Sequence, residues 1–444
     1  MPLRTHPRVV DNLRQRILTR SAVVGVIGLG YVGLPLCVEF ARAGFRVVGL
    51  DLDPVRVASV NLGDSYISDV PSEHLRPFAA DGRLRATEEY DSLAEVDVVV
   101  ICVQTPFTAT KEPDLRFVMH ALEEITRRLR PGHLIVLQST TYPGTTEEVA
   151  LPLLAGSGLT VGQDYFLAFS PERVDPGNAR FGTADIPKVV GGVTPDCTQL
   201  TRLLFEQIVA QVHPVGSARV AEMTKLLENI YRSVNIALVN ELAILCERMG
   251  MDVWEIIDAA ATKPFGFMRF LPGPGVGGHC IPVDPYYLSW KAKAYDFNTK
   301  FVALAAEINE NMPYYVASRV IEAINLHAGR SVAGARILAL GVSYKRDVGD
   351  VRESPALKVL EALRRRGALV SYHDAHVPDL RLGTDLLRSS ELTDEALAGA
   401  DCVLILTDHS GVDYQRVAGV SRLVFDTRNA TRAVASPAAR IIRL

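Results

Sequence analysis

The stretch AVVGVIGLGYVGLPLCVEFARAGFRVVGLD, residues 22–51, decides the fold of the first part of the chain. Its apolar run 22–27 ends in a glycine-rich turn, residues 34–43 have helical spacing, and a second apolar run covers 45–50. Gly44 stands where the helix would end. A strand, a helix and a strand within about 30 residues predict a βαβ unit, whose strands must be parallel.

The glycine-rich turn has the spacing of a dinucleotide-binding site. Gly28, Gly30 and Gly33 form the pattern G-x-G-x-x-G after a predicted strand, and Asp51 ends the next predicted strand. The first glycine allows the tight turn, the second lets the backbone approach a pyrophosphate, and the third allows helix and strand to pack closely. A carboxylate at position 51 would bind the ribose hydroxyls and repel a 2′-phosphate, which favours NAD over NADP.

The composition excludes several classes of protein. The 444 residues carry 47 basic and 51 acidic side chains, a formal charge of −4, and 48% of them are apolar. This balance argues against disorder and against a nucleic-acid binder, which needs a cationic face. No apolar run would span a membrane, the N-terminus does not resemble a secretory signal, and the cysteines have no metal-binding spacing. We therefore expect a cytoplasmic protein without a structural metal.

The arrangement of predicted elements suggests three domains. Strands and helices alternate to about residue 215 and again from residue 336, which predicts an α/β fold at both ends. Between them, residues 219–249 contain neither glycine nor proline and have apolar residues on several sides of a helix, which is typical of an interface between domains or subunits. The predicted parts are an N-terminal arm or short surface helix (1–20), a doubly wound α/β domain (21–215), a helical central domain that forms a dimer interface (216–328) and a second α/β domain (329–444).

Three polar turns follow predicted strands of the first α/β domain. They are Thr105-Pro106, STTYPGT at 139–145 and SPER at 170–173. Because ligands bind at the carboxyl ends of parallel strands, we predict that the three turns line one crevice.

Residues 270–285, FLPGPGVGGHCIPVDP, contain four glycines and four prolines, which excludes a helix or a central strand. Cys280 and Asp284 lie in this loop. A cysteine on an ordered glycine loop is a candidate nucleophile, but packing in a core is the usual role of a cysteine, and the residues alone leave both interpretations open. We expect His279 to be structural, because adjacent residues seldom face each other.

On the long predicted helix, Glu222, Lys225 and Asn229 lie at i, i+3 and i+7, and therefore on one face. Lys225 and Asn229 fall among apolar residues, where a charge needs a partner. A lysine in this position could stabilise negative charge on a reacting oxygen. An ordinary solvated helix face is the alternative.

The combination of segments resembles the UDP-glucose/GDP-mannose dehydrogenase family from about residue 21 to residue 410. The segments GLGYVG, STTYPGT, SPER, AEMTKLLEN and PGPGVGGHCIPVDP occur in the family's order. SPERVDPGN, IPKVVGG, TKPFGFM and YKRDVGDVRESPA look most like the branch that oxidises UDP-N-acetylglucosamine or UDP-N-acetylmannosamine. The resemblance implies an N-terminal Rossmann NAD-binding domain, a helical central dimerisation region and a C-terminal Rossmann-like UDP-sugar-binding domain.

The resemblance also implies the chemistry, a four-electron oxidation of the sugar C6 alcohol to a carboxylate with two NAD. Cys280 would form a thiohemiacetal with the intermediate aldehyde and then a thioester. Lys225 would hold the oxyanions, with Asn229 in support. Asp284 and a water held by Thr140 would move protons, and Glu172 would be an acid near the thioester step.

Binding residues are carried over in the same way. The expected cofactor contacts are Gly28, Gly30, Tyr31, Val32, Gly33, Asp51, Arg56, Thr105, Thr140 and Arg352, although Arg56 could equally be a solvated surface arginine. The expected nucleotide-sugar contacts are Glu172, Arg173, Lys225, Asn229, Phe270, Gly277 and Lys345.

Three alternatives stay open at this point. The same chemistry could act on UDP-glucose or dTDP-glucose. A two-electron NAD-dependent hydroxy-acid dehydrogenase would share the Rossmann-plus-helical plan but would need neither Cys280 nor a third domain. A non-catalytic sugar-nucleotide sensor would usually have lost Lys225 or Cys280. We expect conversion of UDP-N-acetylglucosamine to its uronic acid by a homodimer or higher homo-oligomer, with neither nucleic acid nor membrane as a partner.

Overall fold

The computed structural model of the chain describes residues 6–67, 69–108, 111–175, 181–278 and 281–444. The chain divides into two compact units. The first unit comprises Met1–Glu228 and Tyr286–Asp296, and the second comprises Asn229–Pro285 and Phe297–Leu444. The predicted boundary at 215/216 falls between the last strand of the first sheet and the long helix, and the predicted three-domain limits stay a prediction.

The secondary structure alternates in both units, as the sequence predicts. The helices are α1 (His6–Leu18), α2 (Gly33–Arg42), α3 (Pro54–Leu62), α4 (Ser72–Ala80), α5 (Arg116–Arg128), α6 (Leu151–Ala155), α7 (Pro195–Phe205), α8 (Ala218–Met249), α9 (Val253–Ala260), α10 (Asp284–Ala292), α11 (Lys300–Ala323), α12 (Pro355–Arg365), α13 (Asp394–Gly399) and α14 (Tyr414–Val420). The strands are β1 (Val23–Ile27), β2 (Arg46–Leu50), β3 (Leu84–Thr87), β4 (Val98–Ile101), β5 (Leu134–Leu137), β6 (Phe166–Phe169), β7 (Lys188–Gly192), β8 (Val212–Pro214), β9 (Arg336–Leu340), β10 (Leu369–His373), β11 (Asp379–Leu382), β12 (Asp385–Arg388), β13 (Cys402–Ile405), β14 (Leu423–Asp426) and β15 (Arg440–Arg443).

The first unit is built on an eight-stranded sheet with the order β3-β2-β1-β4-β5-β6-β7-β8. Its first six strands have the order 3-2-1-4-5-6 of a Rossmann fold. All neighbouring strands are parallel except β6 and β7, which are antiparallel. Ile27 at the end of β1 is level with Leu50 of β2 and Ile101 of β4, so the turns after these strands meet at one edge.

The N-terminal segment corrects one expectation. The sequence predicts an arm or surface helix at 1–20, whereas Leu13 and Ile17 of α1 are buried in the core of the first unit. Arg16 Nη1 lies 2.5 Å from Asp97 Oδ1, and Asp97 Oδ2 accepts a hydrogen bond from the backbone N–H of Val23 at 2.8 Å. Burial of the two apolar side chains is worth about 3–6 kcal/mol. Together with the ion pair, it attaches α1 to the first unit.

The second unit contains a smaller, fully parallel sheet with the order β10-β9-β13-β14-β15. Apolar residues pack on both faces of this sheet, one set with α11 and α12 and the other with α13 and α14. The strand order reverses between β9 and β13, which makes the carboxyl ends of these strands the expected ligand position of a doubly wound sheet. A separate hairpin, β11 and β12, was not predicted.

Candidate active site

The glycine-rich turn joins β1 to α2 in the first unit. Gly28 has a left-handed backbone, with φ +93°, and a Cβ there would lie 2.8 Å from the carbonyl oxygen of Cys102. A Cβ on Gly33 would lie 1.8 Å from the carbonyl oxygen of Gly28, so close packing requires a glycine. A Cβ on Gly30 would meet no described atom within 4 Å, which leaves that side of the turn open to a ligand.

Asp51 is tied to the same turn. One of its carboxylate oxygens accepts a hydrogen bond from the backbone N–H of Leu29 at 2.8 Å and lies 3.3 Å from Arg56 Nη1. Arg56 lies on α3, pairs also with Asp53 at 3.5 Å and is partly exposed. A helix N-terminus for a pyrophosphate and a carboxylate for the adenine ribose together fit NAD.

Tyr31 is exposed and Val32 directly precedes α2. Both therefore belong to the glycine-rich turn, as expected. Their contact with the cofactor, like that of Arg56, stays a prediction.

The three predicted polar turns meet at the carboxyl ends of β4, β5 and β6. Thr105 Oγ1 donates a hydrogen bond to the carbonyl oxygen of Thr140 at 2.7 Å. Gln138 Nε2, at the end of β5, donates to Glu172 at 2.5 Å. The structure thus brings Thr105, Thr140 and Glu172 together at one edge of the first sheet.

Glu172 is a fully engaged carboxylate. One oxygen accepts from Lys188 Nζ at 2.7 Å, and the other accepts from the backbone N–H groups of Arg173 and Val174, each at 2.8 Å. Burial by itself raises the pKa of this carboxyl, but the buried Lys188 ammonium and the two amides outweigh burial and hold the pKa of Glu172 below its usual value. These contacts favour the charged form of Glu172, and its expected role near the thioester step stays a prediction.

Arg173, a predicted substrate ligand, is bound to its own unit. It pairs with Glu228 of α8 at 2.7 Å and donates to the carbonyl oxygen of Pro187 at 2.7 Å. These bonds fix the SPER turn to α8, and a contact between Arg173 and the sugar nucleotide stays a prediction.

Glu222 and Lys225 lie one turn apart on α8, and both are buried. Glu222 accepts hydrogen bonds from Gly144 and Thr146 in the turn after β5. For the Lys225 ammonium, no hydrogen bond or ion pair is found within the described part of the chain. A buried amine of this kind is available to an oxyanion of a ligand.

Asn229 and Asp284 meet in the second unit, although 55 residues separate them in the chain. Both are buried, and Asn229 Nδ2 donates a hydrogen bond to Asp284 Oδ2. Asp284 begins α10, four residues after Cys280. Cys280 and His279 lie outside the described residues, so the predicted nucleophile stays a prediction.

The described part of the glycine-rich loop packs on the turn that precedes α12. The backbone N–H of Gly278 donates to the carbonyl oxygen of Arg352 at 3.0 Å, and a Cβ on Gly277 would lie 2.6 Å from Cβ of Tyr344. Phe270 packs on the small apolar cluster of α8 and α9. Gly277 and Phe270 therefore shape the loop, and their contact with substrate stays a prediction.

A cavity of about 490 Å³ lies at the carboxyl edge of the second sheet. Turns after β9, β13 and β14 line it, together with Trp254 of α9. Its wall carries four arginines, namely Arg269, Arg346, Arg428 and Arg432. Planar guanidinium groups bind phosphate oxygens through paired hydrogen bonds, so this concave, cationic site fits a nucleoside diphosphate.

Arg428 is the most enclosed of these arginines. Its Nε donates to the carbonyl oxygen of Leu406 at 2.9 Å, and burial lowers the pKa of its guanidinium to about 10. Arg346 pairs with Asp408 at the same wall. Sequence reasoning singled out Lys345 but not its neighbour Arg346 in the same segment, and it missed Arg269, Arg428 and Arg432, which match no short motif.

Two other predicted binders have local partners. The guanidinium of Arg352 donates to the carboxylate of Asp350, with the shortest distance 2.6 Å. The carbonyl oxygen of half-buried Lys345 accepts from Ser343 Oγ at 2.9 Å. Their contacts with cofactor and nucleotide sugar stay predictions.

One group of described residues has metal-ligating side chains close together. Ligand atoms of Asp347, His376 and His409 lie within 4.8 Å of one another. However, Nδ1 of His409 accepts from the backbone N–H of Asp347 at 3.0 Å, and Nε2 lies 3.1 Å from a carboxylate oxygen of Asp374. Both ring nitrogens of His409 are thus engaged within the protein.

Comparison with known proteins agrees with this arrangement. The Rossmann order and the glycine turn belong to an NAD-dependent oxidoreductase that acts on CH–OH groups. Sequence models of one family match three successive segments: an NAD binding domain at 22–209, a central domain at 219–311 and a UDP binding domain at 338–433. The chain belongs to the UDP-glucose/GDP-mannose dehydrogenase family, and its cofactor is NAD.

Two relatives illustrate the similarity. A UDP-N-acetyl-D-glucosamine 6-dehydrogenase of Pseudomonas aeruginosa is 38% identical over 356 residues, which is 80% of this chain and 83% of that protein. A UDP-N-acetyl-D-mannosamine dehydrogenase of Pyrococcus horikoshii is 35% identical over 412 residues, 91% of this chain and 95% of the other.

Solved structures give the same result. The structure of a UDP-D-ManNAc dehydrogenase from Pyrococcus horikoshii has a TM-score of 0.86 at 33% identity and covers 95% of this chain and 98% of that one. Among the described residues, no helix combines the length and the apolar character that crossing a membrane requires.

Proposed function

We propose that this chain is a UDP-N-acetylhexosamine 6-dehydrogenase, which converts UDP-N-acetylglucosamine to the corresponding uronic acid in a four-electron oxidation. The observation that carries the proposal is the buried Asn229–Asp284 hydrogen bond. It joins Asn229 to Asp284 within the second unit, and the family resemblance gives both residues, together with Lys225 and Cys280, a role in C6 oxidation. The substrate class is supported by the relatives that act on UDP-N-acetylglucosamine and UDP-N-acetylmannosamine.

In the first oxidation, the C6 alcohol loses a proton and a hydride and becomes an aldehyde. NAD, when bound, accepts the hydride. The buried ammonium of Lys225 would stabilise the C6 oxygen as it loses its proton, and Asp284 or a water held by Thr140 would take up that proton. Gly28, Gly30, Gly33 and Asp51 would hold the cofactor by backbone contact and ribose binding.

In the second oxidation, the Cys280 thiolate adds to the aldehyde carbon and forms a thiohemiacetal. A second NAD, when bound, would accept a second hydride and leave a thioester, and attack by water would release the carboxylate and restore the thiol. The covalent bond retains the aldehyde between the two steps. Glu172, held as an anion by Lys188, would act on the attacking water by hydrogen bonding or as a base rather than as an acid.

The nucleotide would bind in the cationic cavity of the second unit. Lys345 is adjacent in sequence to Arg346 of its wall, and Arg428 and Arg432 follow the end of β14. Charge-assisted hydrogen bonds from such groups are worth about 1.5–3 kcal/mol each. The UDP moiety would thereby supply most of the substrate affinity.

We also propose that the enzyme is a cytoplasmic homodimer or higher homo-oligomer. Apolar side chains form an exposed stripe along α8: Val220, Met223, Leu227, Tyr231, Leu238, Leu242, Leu245 and Met249. A second copy of the chain would cover such a stripe. Light scattering should therefore give at least twice the mass of 48.4 kDa, and Leu238→Glu should reduce it to one chain. The five described cysteines are free thiols, which suits a reducing compartment.

The decisive test measures products with UDP-N-acetylglucosamine, UDP-N-acetylmannosamine, UDP-glucose and dTDP-glucose. We expect two NADH for each UDP-N-acetylglucosamine consumed, because both oxidations occur on one enzyme. One NADH per sugar would support a two-electron alcohol dehydrogenase. Preference for UDP-glucose or dTDP-glucose would keep the chemistry but assign a different substrate.

The Cys280→Ala variant should lower acid formation by more than about a thousandfold, because the thioester route is lost. Cys246→Ala is the matched control, since Cys246 is buried on α8 and has no proposed role. Full uronate formation by Cys280→Ala would contradict the covalent route.

A further inference from the structure

We infer that Glu222 is a positioning residue of the dehydrogenase: its carboxylate holds the turn after β5, which carries Thr140, in the arrangement that the reaction uses. This inference rests on the proposed function, because it takes the turn 139–145 as part of the reacting centre.

Glu222 reaches this turn from a distant part of the chain. One carboxylate oxygen accepts from the backbone N–H of Gly144, and the other accepts from the N–H of Thr146 at 2.9 Å and from its Oγ1 at 2.6 Å. All three bonds lie within the first unit, and the side chain of Glu222 is fully buried. A single carboxylate therefore accepts hydrogen bonds from backbone N–H groups at the end of the turn and at the start of the helical segment 146–155.

The turn is also held at its other end. Thr140 accepts the hydrogen bond of Thr105 Oγ1 through its carbonyl oxygen at 2.7 Å. Gly144 has φ +107°, a conformation that presents its N–H to Glu222 and that favours glycine. The position of Thr140 is thus defined from both sides, by Thr105 and by Glu222.

The same residue lies one helical turn before Lys225 on α8, so its carboxylate links the oxyanion-holding lysine of the proposed mechanism to the turn that carries Thr140. An anion at the N-terminus of a helical segment is favoured by the free N–H groups there. If the Glu222 carboxylate were protonated, one of its acceptor oxygens would become a hydroxyl donor, which would face the N–H of Gly144. The turn would then lose at least one of its three bonds.

The charge of Glu222 depends on pH in the neutral range. Burial raises its pKa to about 7, while the bonds from Thr146 and Gly144 oppose this rise and the neighbouring Glu147 adds to it. Because the pKa is raised, the carboxyl gains a proton as the pH falls through about 7 and becomes an anion above it.

Other charges around this carboxyl are paired among themselves. On the helical segment, Glu147 pairs with Arg219 of α8 at 2.8 Å, and Glu148 pairs with Lys291 of α10 at 2.5 Å. Tyr142 of the same turn has its own pKa raised by burial.

The test is the pH profile of kcat/KM with UDP-N-acetylglucosamine, which reports ionisations of the free enzyme. Wild type should lose activity about tenfold per pH unit below the neutral range. Glu222→Gln should remove this acid limb and keep a low, flat rate, because the amide reproduces the protonated form. Glu123→Gln, an exposed acid of α5, is the matched control and should keep the wild-type profile.

The Thr146→Val variant provides an independent test, because a purely structural role of Glu222 would not change the pH profile. It removes the hydroxyl bond that lowers the pKa of Glu222, so the acid limb should shift to higher pH while the NAD affinity stays unchanged. An acid limb that persists unchanged in both Glu222→Gln and Thr146→Val would overturn the inference.

Amide hydrogen exchange of the peptide 139–150 decides the positioning role without substrate. Corrected for intrinsic rates, exchange in wild type should be faster at pH 6 than at pH 8, and Glu222→Gln should exchange fast at both. Equal protection of this peptide in wild type and Glu222→Gln would contradict the inference, whether or not a nucleotide sugar is oxidised. Failure of the proposed function would look different: no NADH would form, but the exchange pattern would remain as expected.

Discussion

The carboxyl edges of the two parallel sheets offer different groups to a ligand. The first edge has a glycine turn, Thr105 and Thr140, and the carboxylates of Asp51 and Glu172, so that it offers backbone N–H groups and short polar side chains. The second edge has a cavity walled by arginines, among them Arg428. Both lie where the strand order reverses. Topology therefore fixes where a ligand binds, and the turn residues decide which ligand.

The largest expected effect concerns the glycines of the first edge. Gly33→Ala should abolish NAD binding and lower the free energy of unfolding by about 1–3 kcal/mol, because its Cβ would lie 1.8 Å from the carbonyl oxygen of Gly28. Urea unfolding and an NAD titration would measure the two effects.

Gly30→Ala is the matched control, since a Cβ there meets no described atom within 4 Å. We expect normal stability and NAD affinity reduced about tenfold or more, because only a bound pyrophosphate would contact the new methyl group. Wild-type NAD affinity in Gly30→Ala would show that the cofactor does not approach this turn.

A smaller effect separates the two edges. Arg428→Met should weaken binding of UDP alone by about 10- to 100-fold, the value of a charge-assisted hydrogen bond, and leave NAD affinity unchanged. Asp51→Asn should do the reverse, with NAD affinity reduced about tenfold through the loss of the ribose acceptor. Isothermal titration with each ligand measures both variants.

Arg388→Met controls for the loss of a positive charge in the second unit, because the Arg388 side chain is 87% exposed. It should bind UDP as wild type does. If Arg428→Met weakened NAD and UDP equally, the assignment of one ligand to each edge would be wrong.

Much of the fold follows from local sequence signals. The runs 22–27 and 45–50 are apolar and end at a glycine turn or at an acidic residue, and each forms a strand within one or two residues of its predicted limits. The long helix was predictable because residues 219–249 lack glycine and proline. Short strands such as β3, with only four residues and alternating burial, were not.

Features that depend on contacts between residues far apart in the chain could not be predicted from the sequence. The charge on Glu172 depends on Lys188, and the cationic cavity collects arginines from three turns. Neither leaves a periodic pattern. The packing of Leu13 and Ile17 in the core of the first unit was not predicted, because a helix in an Arg-rich segment does not reveal which core its apolar side chains meet. By contrast, the edge that unites Thr105, Thr140 and Glu172 was predictable, since strand ends in a parallel sheet converge.

The chain has two tryptophans, and they lie in different units. Trp254 lines the arginine-walled cavity, and Trp290 packs on Tyr142 of the turn after β5, with ring centroids 5.0 Å apart. One indole thus lies beside the cavity and one beside the turn after β5. Replacing either indole by phenylalanine would leave a single source of tryptophan emission, so that occupancy of the cavity and rearrangement of the turn could be followed separately in two variants.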